Sequence, residues 1–367
     1  MKTNGKSKKI PDTEVSRKKQ KLKDPKLHSA SCNDSSCVGC DVGQVDIELV
    51  SKDGLPLTPL DYYVAAKEEL TKLSTDELND SGIDPTSIVT KLFEMAITQY
   101  ESNSIVDLSY CNCLYDFGLF LHVGDYFIQA ESQLEKYLKS SVVNSKDVDA
   151  WLLLALVYIQ LAKLSYNLDS SDIDEDLVLA DVTEQNYLKR SICSFKKAHE
   201  LNPSGKSKVN LVAANALLEH ALLQKSHHIV PNTIKFTLQN AFKFGEAAEP
   251  STRTYRIQGT CLFHLASMES HLKDSNLQNA VKDAKNAIEL LKQVTSESDS
   301  KASDYQLLGQ AWLLLSSLET EDDDAAIVAF DLGAESLQNA LRIDPENHNI
   351  RQQLIDMELI EDNEESS

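Results

Sequence analysis

One arrangement of small and aromatic residues recurs four times along this chain, and it leaves few folds open. In its clearest copy, Tyr305, Leu308, Gly309 and Trp312 occupy one helical face. Gly333, Leu337, Ala340 and Pro345 then mark a second helix and its end. Another copy runs Leu114, Phe117, Gly118 and Leu121, followed by Ala130, Leu134 and Tyr137. A third opens with Trp151, Leu154, Ala155 and Tyr158 and closes with Phe195, Ala198 and Pro203. The weakest is Tyr255, Gly259 and Leu262, then Ala280, Ala284 and Ala287. Small residues at Gly118, Ala155, Gly259 and Gly309 let a paired helix approach closely, and the large residue a turn later fills the space beside it.

This spacing resembles the tetratricopeptide repeat, a two-helix unit that cannot bury its apolar face alone. The expected fold is therefore all-α: an irregular stack of helical hairpins with insertions. The copies are uneven. Ala155 and Ser191 hold the small positions of the third copy, which implies about two dozen residues inserted between its helices. Val209–Gln224 and Asn232–Phe244 read as a hairpin without consensus residues. Leu60–Leu73 and Thr86–Tyr100 precede the repeats, and Asn349–Leu359 reads as an amphipathic cap. The run Trp151–Ile159 is apolar on all sides, which suits a helix buried within the stack. Trp151 and Trp312 are expected to be core residues whose truncation opens a cavity.

Charge divides the chain. The first 30 residues hold ten Lys and Arg against Asp12, Glu14 and Asp24, a local charge of +7, so the rest carries −28 of the net −21. A body this acidic repels phosphate backbones and argues against direct nucleic-acid binding. It also suits a basic partner surface. Residues 1–45 read as a disordered basic tail, 46–359 as the helical domain and 360–367 as an acidic tail. Arg17, Lys18, Lys19, Lys21 and Lys23 read as a nuclear import signal, since import receptors take extended Lys-rich segments. The other reading is a solvated tail or an arm touching RNA without specificity. Acidic runs at Asp169–Asp176 and Glu319–Asp324 read as solvated loops. No apolar run reaches the ~20 residues a membrane span needs, and no secretory leader is visible.

Seven cysteines do not suggest a disulfide framework. Cys193 and Cys261 read as small core residues. His28, Cys32, Cys37 and Cys40 have spacing that would suit Zn²⁺ or, for the three cysteines, an iron–sulfur cluster. Their Ser, Asn, Asp and Gly surroundings instead favour unliganded linker thiols, so no metal and no cofactor is expected. The phosphate-binding, dinucleotide, zinc-protease and nucleophile-elbow motifs are missing. The expectation is a binding scaffold and not an enzyme.

The Lys/Arg-rich start, the apolar helix Trp151–Leu161 with the charged stretch Asp169–Glu184 behind it, and the ending from Ala280 through Asp304–Leu315 to Ala334–Leu341 together resemble a fungal family. Its members are nuclear proteins called enhancers of translation termination, also known as negative regulators of a prolyl-hydroxylase-like 2-oxoglutarate dioxygenase. The resemblance implies a nuclear, non-catalytic, all-helical adaptor. It would bind the dioxygenase, or a partner in its pathway, and thereby affect translation termination and oxygen-responsive gene expression; the import receptor is the partner that the basic N-terminal residues imply. Two other functions fit such repeats. One is a nuclear scaffold in RNA processing or ribosome assembly. The other is a co-chaperone for acidic tails, which would need Lys and Asn where Tyr115, Leu119, Leu152 and Leu156 stand.

Overall fold

The computed structural model describes residues 56–73, 85–165, 175–202, 204–227, 229–270, 277–319 and 322–361. Among them there are thirteen α-helices, one short 3-10 turn and no strand. The chain is all-α. It divides into two compact units, Met1–Ser145 and Lys146–Ser367.

The first unit holds α1 (Pro59–Leu73), α2 (Pro85–Ser102), α3 (Leu108–Leu121) and α4 (Gly124–Ser140). Proline opens α1 and α2, where its missing N–H costs nothing. Asp107 caps α3 by accepting from the Tyr110 N–H, and His122 closes it in the left-handed region at φ 56°. A core of rings joins the helices: Phe93 stacks on Phe117 at 5.0 Å and Tyr100 on Tyr110 at 5.0 Å. Tyr63 donates its hydroxyl to Asp116 Oδ2 at 2.6 Å, and burial together with that carboxylate raises its pKa. Cys111 and Cys113 are both buried, because α3 packs on α2 as well as α4. Burial pushes the Cys111 thiol up to about 12 and Cys113 in the same direction, which leaves both unreactive.

The second unit holds α5 (Val148–Leu164), α6 (Glu175–Leu201), α7 (Lys206–Ser226), α8 (Pro231–Glu246), α9 (Thr252–Ser270), α10 (Leu277–Thr295), α11 (Ala302–Leu318), α12 (Asp323–Ile343) and α13 (His348–Asp356). They pair as four hairpins, α5 with α6 through α11 with α12, and α13 packs on the last. The repeat residues sit at the hairpin seams. Ser191 donates its hydroxyl to the Ala155 carbonyl at 2.9 Å, so the two backbones lie one side chain apart. A Cβ on Gly309 would stand 2.9 Å from Leu337 Cγ and 3.0 Å from the Gly333 carbonyl oxygen. Gly118 is held in the same way by the Phe127 ring and Gly259 by Leu291. Ala130, Tyr158, Phe195, Ala198 and Ala340 are buried. Pro345 is exposed and follows the end of α12, and Pro203 lies outside the described residues.

Several sequence expectations change. Trp151 and Trp312 are half-buried, not core. Trp151 stands in the first turn of α5, at the end of its hairpin, and the Trp312 ring faces the Lys292 ammonium at 4.9 Å. Cys193 is exposed, because α6 buries Ser191, Ile192, Ser194 and Phe195 on its other sides. The stretch expected as an acidic loop at Asp169–Asp176 partly joins α6, which starts at Glu175. Asp322 is an N-cap that accepts from the Ala325 N–H at 3.0 Å, and Asp323 and Asp324 form the first turn of α12, where carboxylates favour the helix dipole.

Glu184, fully buried, ties α6 to α7. His220 Nε2 lies 2.9 Å from Glu184 Oε1, and the Gln224 amide donates to the same oxygen at 2.6 Å. Periodicity places polar residues but does not pair them, so this link was invisible in the sequence.

Gly309→Ala tests the seam. Alanine gains about 0.5–1 kcal/mol of helix propensity over glycine. Overpacking against a backbone carbonyl that cannot rotate away costs about 1–3 kcal/mol. The packing loss should win, and the urea midpoint followed by helical circular dichroism should fall. A raised midpoint would show that α11 and α12 are not packed this closely.

Candidate functional site: the face of the first helices

Within the second unit the first helices of successive hairpins pack on one another: α5 on α7, α7 on α9, and α9 on α11. Each of them is thus flanked by its own partner and by its neighbours. What remains open is one stripe at helical spacing. On α5 it is Asp149, Leu152, Leu156, Gln160 and Lys163; on α7 it is Lys208, Val212, Asn215, Glu219 and Leu222. On α9 it is Arg253, Arg256, Thr260 and His264; on α11 it is Ser303, Gln306, Gln310, Leu314 and Ser317.

The chemistry of this layer is not that of the whole chain. Leu152, Leu156, Val212 and Leu222 lie on α5 and α7 and Leu314 on α11, and its arginines are on α9. Carboxylates come from Asp149 and Glu219, and the Glu219 carboxylate accepts from the Asn215 amide at 2.6 Å. The net acidity of the chain therefore does not carry over to this surface, and the expected preference for a basic partner does not apply to it. An apolar segment with a few acids suits it better.

Two polar links brace the layer. Arg256 forms a forked pair with Asp304 across α9 and α11, Nε to Oδ1 at 2.5 Å and Nη2 to Oδ2 at 2.7 Å. That pair, with Asp304 buried, fixes the arginine and raises its pKa further. Across α7 and α9, Lys225 Nζ lies 3.2 Å from His264 Nδ1. Burial, with the lysine charge behind it, lowers the His264 pKa to about 4. The ring is neutral at physiological pH, and with Nδ1 accepting from the ammonium, its proton stands on Nε2. Burial pushes the neighbouring Cys261 thiol up to about 12.

The layer has no clamp for a pair of carboxylates. Leu152 and Leu156 are half-buried at the places where such a clamp needs Lys and Asn, and Arg256 is already committed to Asp304. In the first unit the same places hold half-buried Tyr115 and exposed Leu119. Among the described residues no group of three His, Cys, Asp or Glu is placed to hold a metal. None of the described helices is long and apolar enough to cross a membrane. The import-signal residues Arg17, Lys18, Lys19, Lys21 and Lys23, and the cluster His28, Cys32, Cys37 and Cys40, lie outside the described residues.

No protein-family model matches the sequence, and no curated protein matches it. Solved structures do. The S. pombe nuclear import adaptor Nro1 in space group P21 superposes with a TM-score of 0.55 at 10% identity, over 80% of this chain and 97% of that one. Its P6522 form gives 0.54 at 11%, over 82% and 98%. A further structure of Nro1, the hypoxic regulator of sterol synthesis described as a nuclear import adaptor, gives 0.53 at 11%, over 81% and 94%. At such identity the likeness establishes a shared fold over nearly the full length of those chains.

His264 gives a pH test of the layer. Its folded pKa lies below the unfolded ~6.5, so the unfolded chain binds the extra proton first as pH falls. Stability from this group is fully present above about pH 6.5 and declines from there towards pH 4. Wild type should therefore lose stability over that window more steeply than His264→Gln, as read from urea midpoints at matched pH. Parallel curves would mean that His264 is not held neutral between α7 and α9.

Proposed function

We propose that this chain is a non-catalytic nuclear adaptor whose first-helix layer holds a segment of a partner protein. The observation that carries this reading is the layer itself: four first helices side by side with apolar and basic side chains left open, on a fold shared with an import adaptor. Helical stacks use such faces to bind extended or helical segments, with affinity set by a few apolar anchors.

The partner is a 2-oxoglutarate dioxygenase. This step rests on the sequence resemblance, as do the consequences for translation termination and oxygen-responsive gene expression. The description of Nro1 as a hypoxic regulator is in keeping with it. The mechanism is occupancy: the adaptor holds the enzyme, and Arg17, Lys18, Lys19, Lys21 and Lys23 present the pair to an import receptor. No bond is made or broken by the adaptor.

Two experiments test this. Tagged protein is captured from its own cells at near-physiological salt, beside a Leu222→Asp, Arg253→Glu variant; both positions are exposed, so the fold should survive. A stoichiometric dioxygenase that falls about tenfold or more in the variant is the expected result. Factors of RNA processing or ribosome assembly in its place would overturn the partner assignment. Separately, Lys18→Ala, Lys19→Ala and Lys21→Ala together should move the protein to the cytoplasm with its helical spectrum unchanged. Persistent nuclear enrichment would remove the import assignment.

A further inference from the structure

A second surface lies on α12, away from the layer just described. Ile327, Phe330, Ala334, Leu337 and Leu341 recur at i, i+3, i+7, i+10 and i+14, the seam spacing along which one helix packs on another. The seam is covered for only part of its length. Leu337, which also packs on Gly309 of α11, and Ala340 are buried with Ile350 and Leu354 of α13, with Leu341 packed beside them. Towards the start of α12, Ile327 is 58% exposed and Phe330 37%.

The cause is the length of α13. It has nine residues against twenty-one in α12, so it spans ~13 Å beside a helix of ~31 Å. Its end is built and not frayed. Glu358 takes a left-handed conformation at φ 59°, and the Leu359 N–H reaches back to the Leu354 carbonyl at 2.9 Å. Leu359 and Ile360 then fold onto the same cluster. In a longer stack the first helix of another hairpin would cover the whole seam, and here half of it stays open.

Around the open half stand Asp323, Asp324, Asp331 and Glu335, all exposed and without an ion pair among the described residues. Helix capping accounts for carboxylates in the first turn of α12 but not for Asp331 and Glu335, two and three turns further on. Charge therefore selects the occupant. The chain's own continuation after α13, Glu358 to Glu365, is acidic and would be repelled. A second copy would bring the same carboxylates face to face with these. We infer that the open half of the α12 seam docks an amphipathic helix of a different protein, with apolar residues on Ile327 and Phe330 and Lys or Arg against Asp324, Asp331 and Glu335. This helix would sit beside α13 and complete the stack.

The test uses the full chain and two fluorescent peptides of about 20 residues, long enough for stable helix. Both carry Leu at seam positions; one has Lys and the other Glu on the flanks. The Lys peptide should bind, more weakly as salt rises. The Ile327→Ser, Phe330→Ser variant should weaken it about tenfold or more while keeping the wild-type circular dichroism. The Asp331→Lys, Glu335→Lys variant should shift preference to the Glu peptide. No binding of the Lys peptide, or equal binding to wild type and the Ser variant, would overturn the inference. So would a dimer in sedimentation that the Ser variant dissolves, since the occupant would then be a second copy. None of these outcomes bears on the first-helix layer, where Leu222 and Arg253 remain unchanged.

Discussion

Close approach of two helical backbones at a small residue is the constraint on which the rest of this structure depends. At Gly309 the space for a Cβ is already taken by Leu337 and by the Gly333 carbonyl. At Ala155 the carbonyl is within reach of a serine hydroxyl on the opposite helix. A hairpin closed this tightly presents its remaining apolar residues on its flanks, and only another hairpin can cover them. The order of the second unit follows: α5 meets α7, α7 meets α9, and α9 meets α11. The open stripe on these helices is what is left once the seams and flanks have been satisfied.

That hierarchy explains what was legible in the sequence. The helices expected at Leu60–Leu73, Thr86–Tyr100, Val209–Gln224, Asn232–Phe244 and Asn349–Leu359 stand where the apolar periodicity placed them, to within a few residues at their ends, because close packing leaves a fixed spacing behind it. Trp151 and Trp312 misled for a related reason. An aromatic in a repeat marks a position, and the depth of that position depends on whether neighbours reach it. Near the start of α5 Trp151 remains half open, and the half-buried Trp312 packs beside the core with a lysine ammonium over its ring.

The surface was much less legible. Glu184 looked like part of a charged insertion, yet it is fully buried and holds His220 and Gln224. Nothing in its spacing distinguishes it from Asp331, which is open to solvent, since burial of a carboxylate is decided by partners on another helix. The stripe of the first-helix layer was equally hidden. Leu152, Leu156 and Leu222 have the spacing of core residues, and only the direct packing of α5, α7 and α9 shows which side each helix leaves open.

Net charge is the quantity that transfers least from chain to site. A total of −21 suggested an acidic scaffold for basic partners. The carboxylates are instead local. Asp304 neutralises Arg256 inside the stack, Asp107 and Asp322 cap helices, and Asp331 and Glu335 surround an unfinished seam on α12. The first-helix layer has leucines and arginines in their place. Screening limits the reach of exposed charge to about 8 Å at physiological ionic strength. A partner therefore responds to the residues it touches and not to the sum over the chain, so one acidic protein can offer two surfaces of opposite preference.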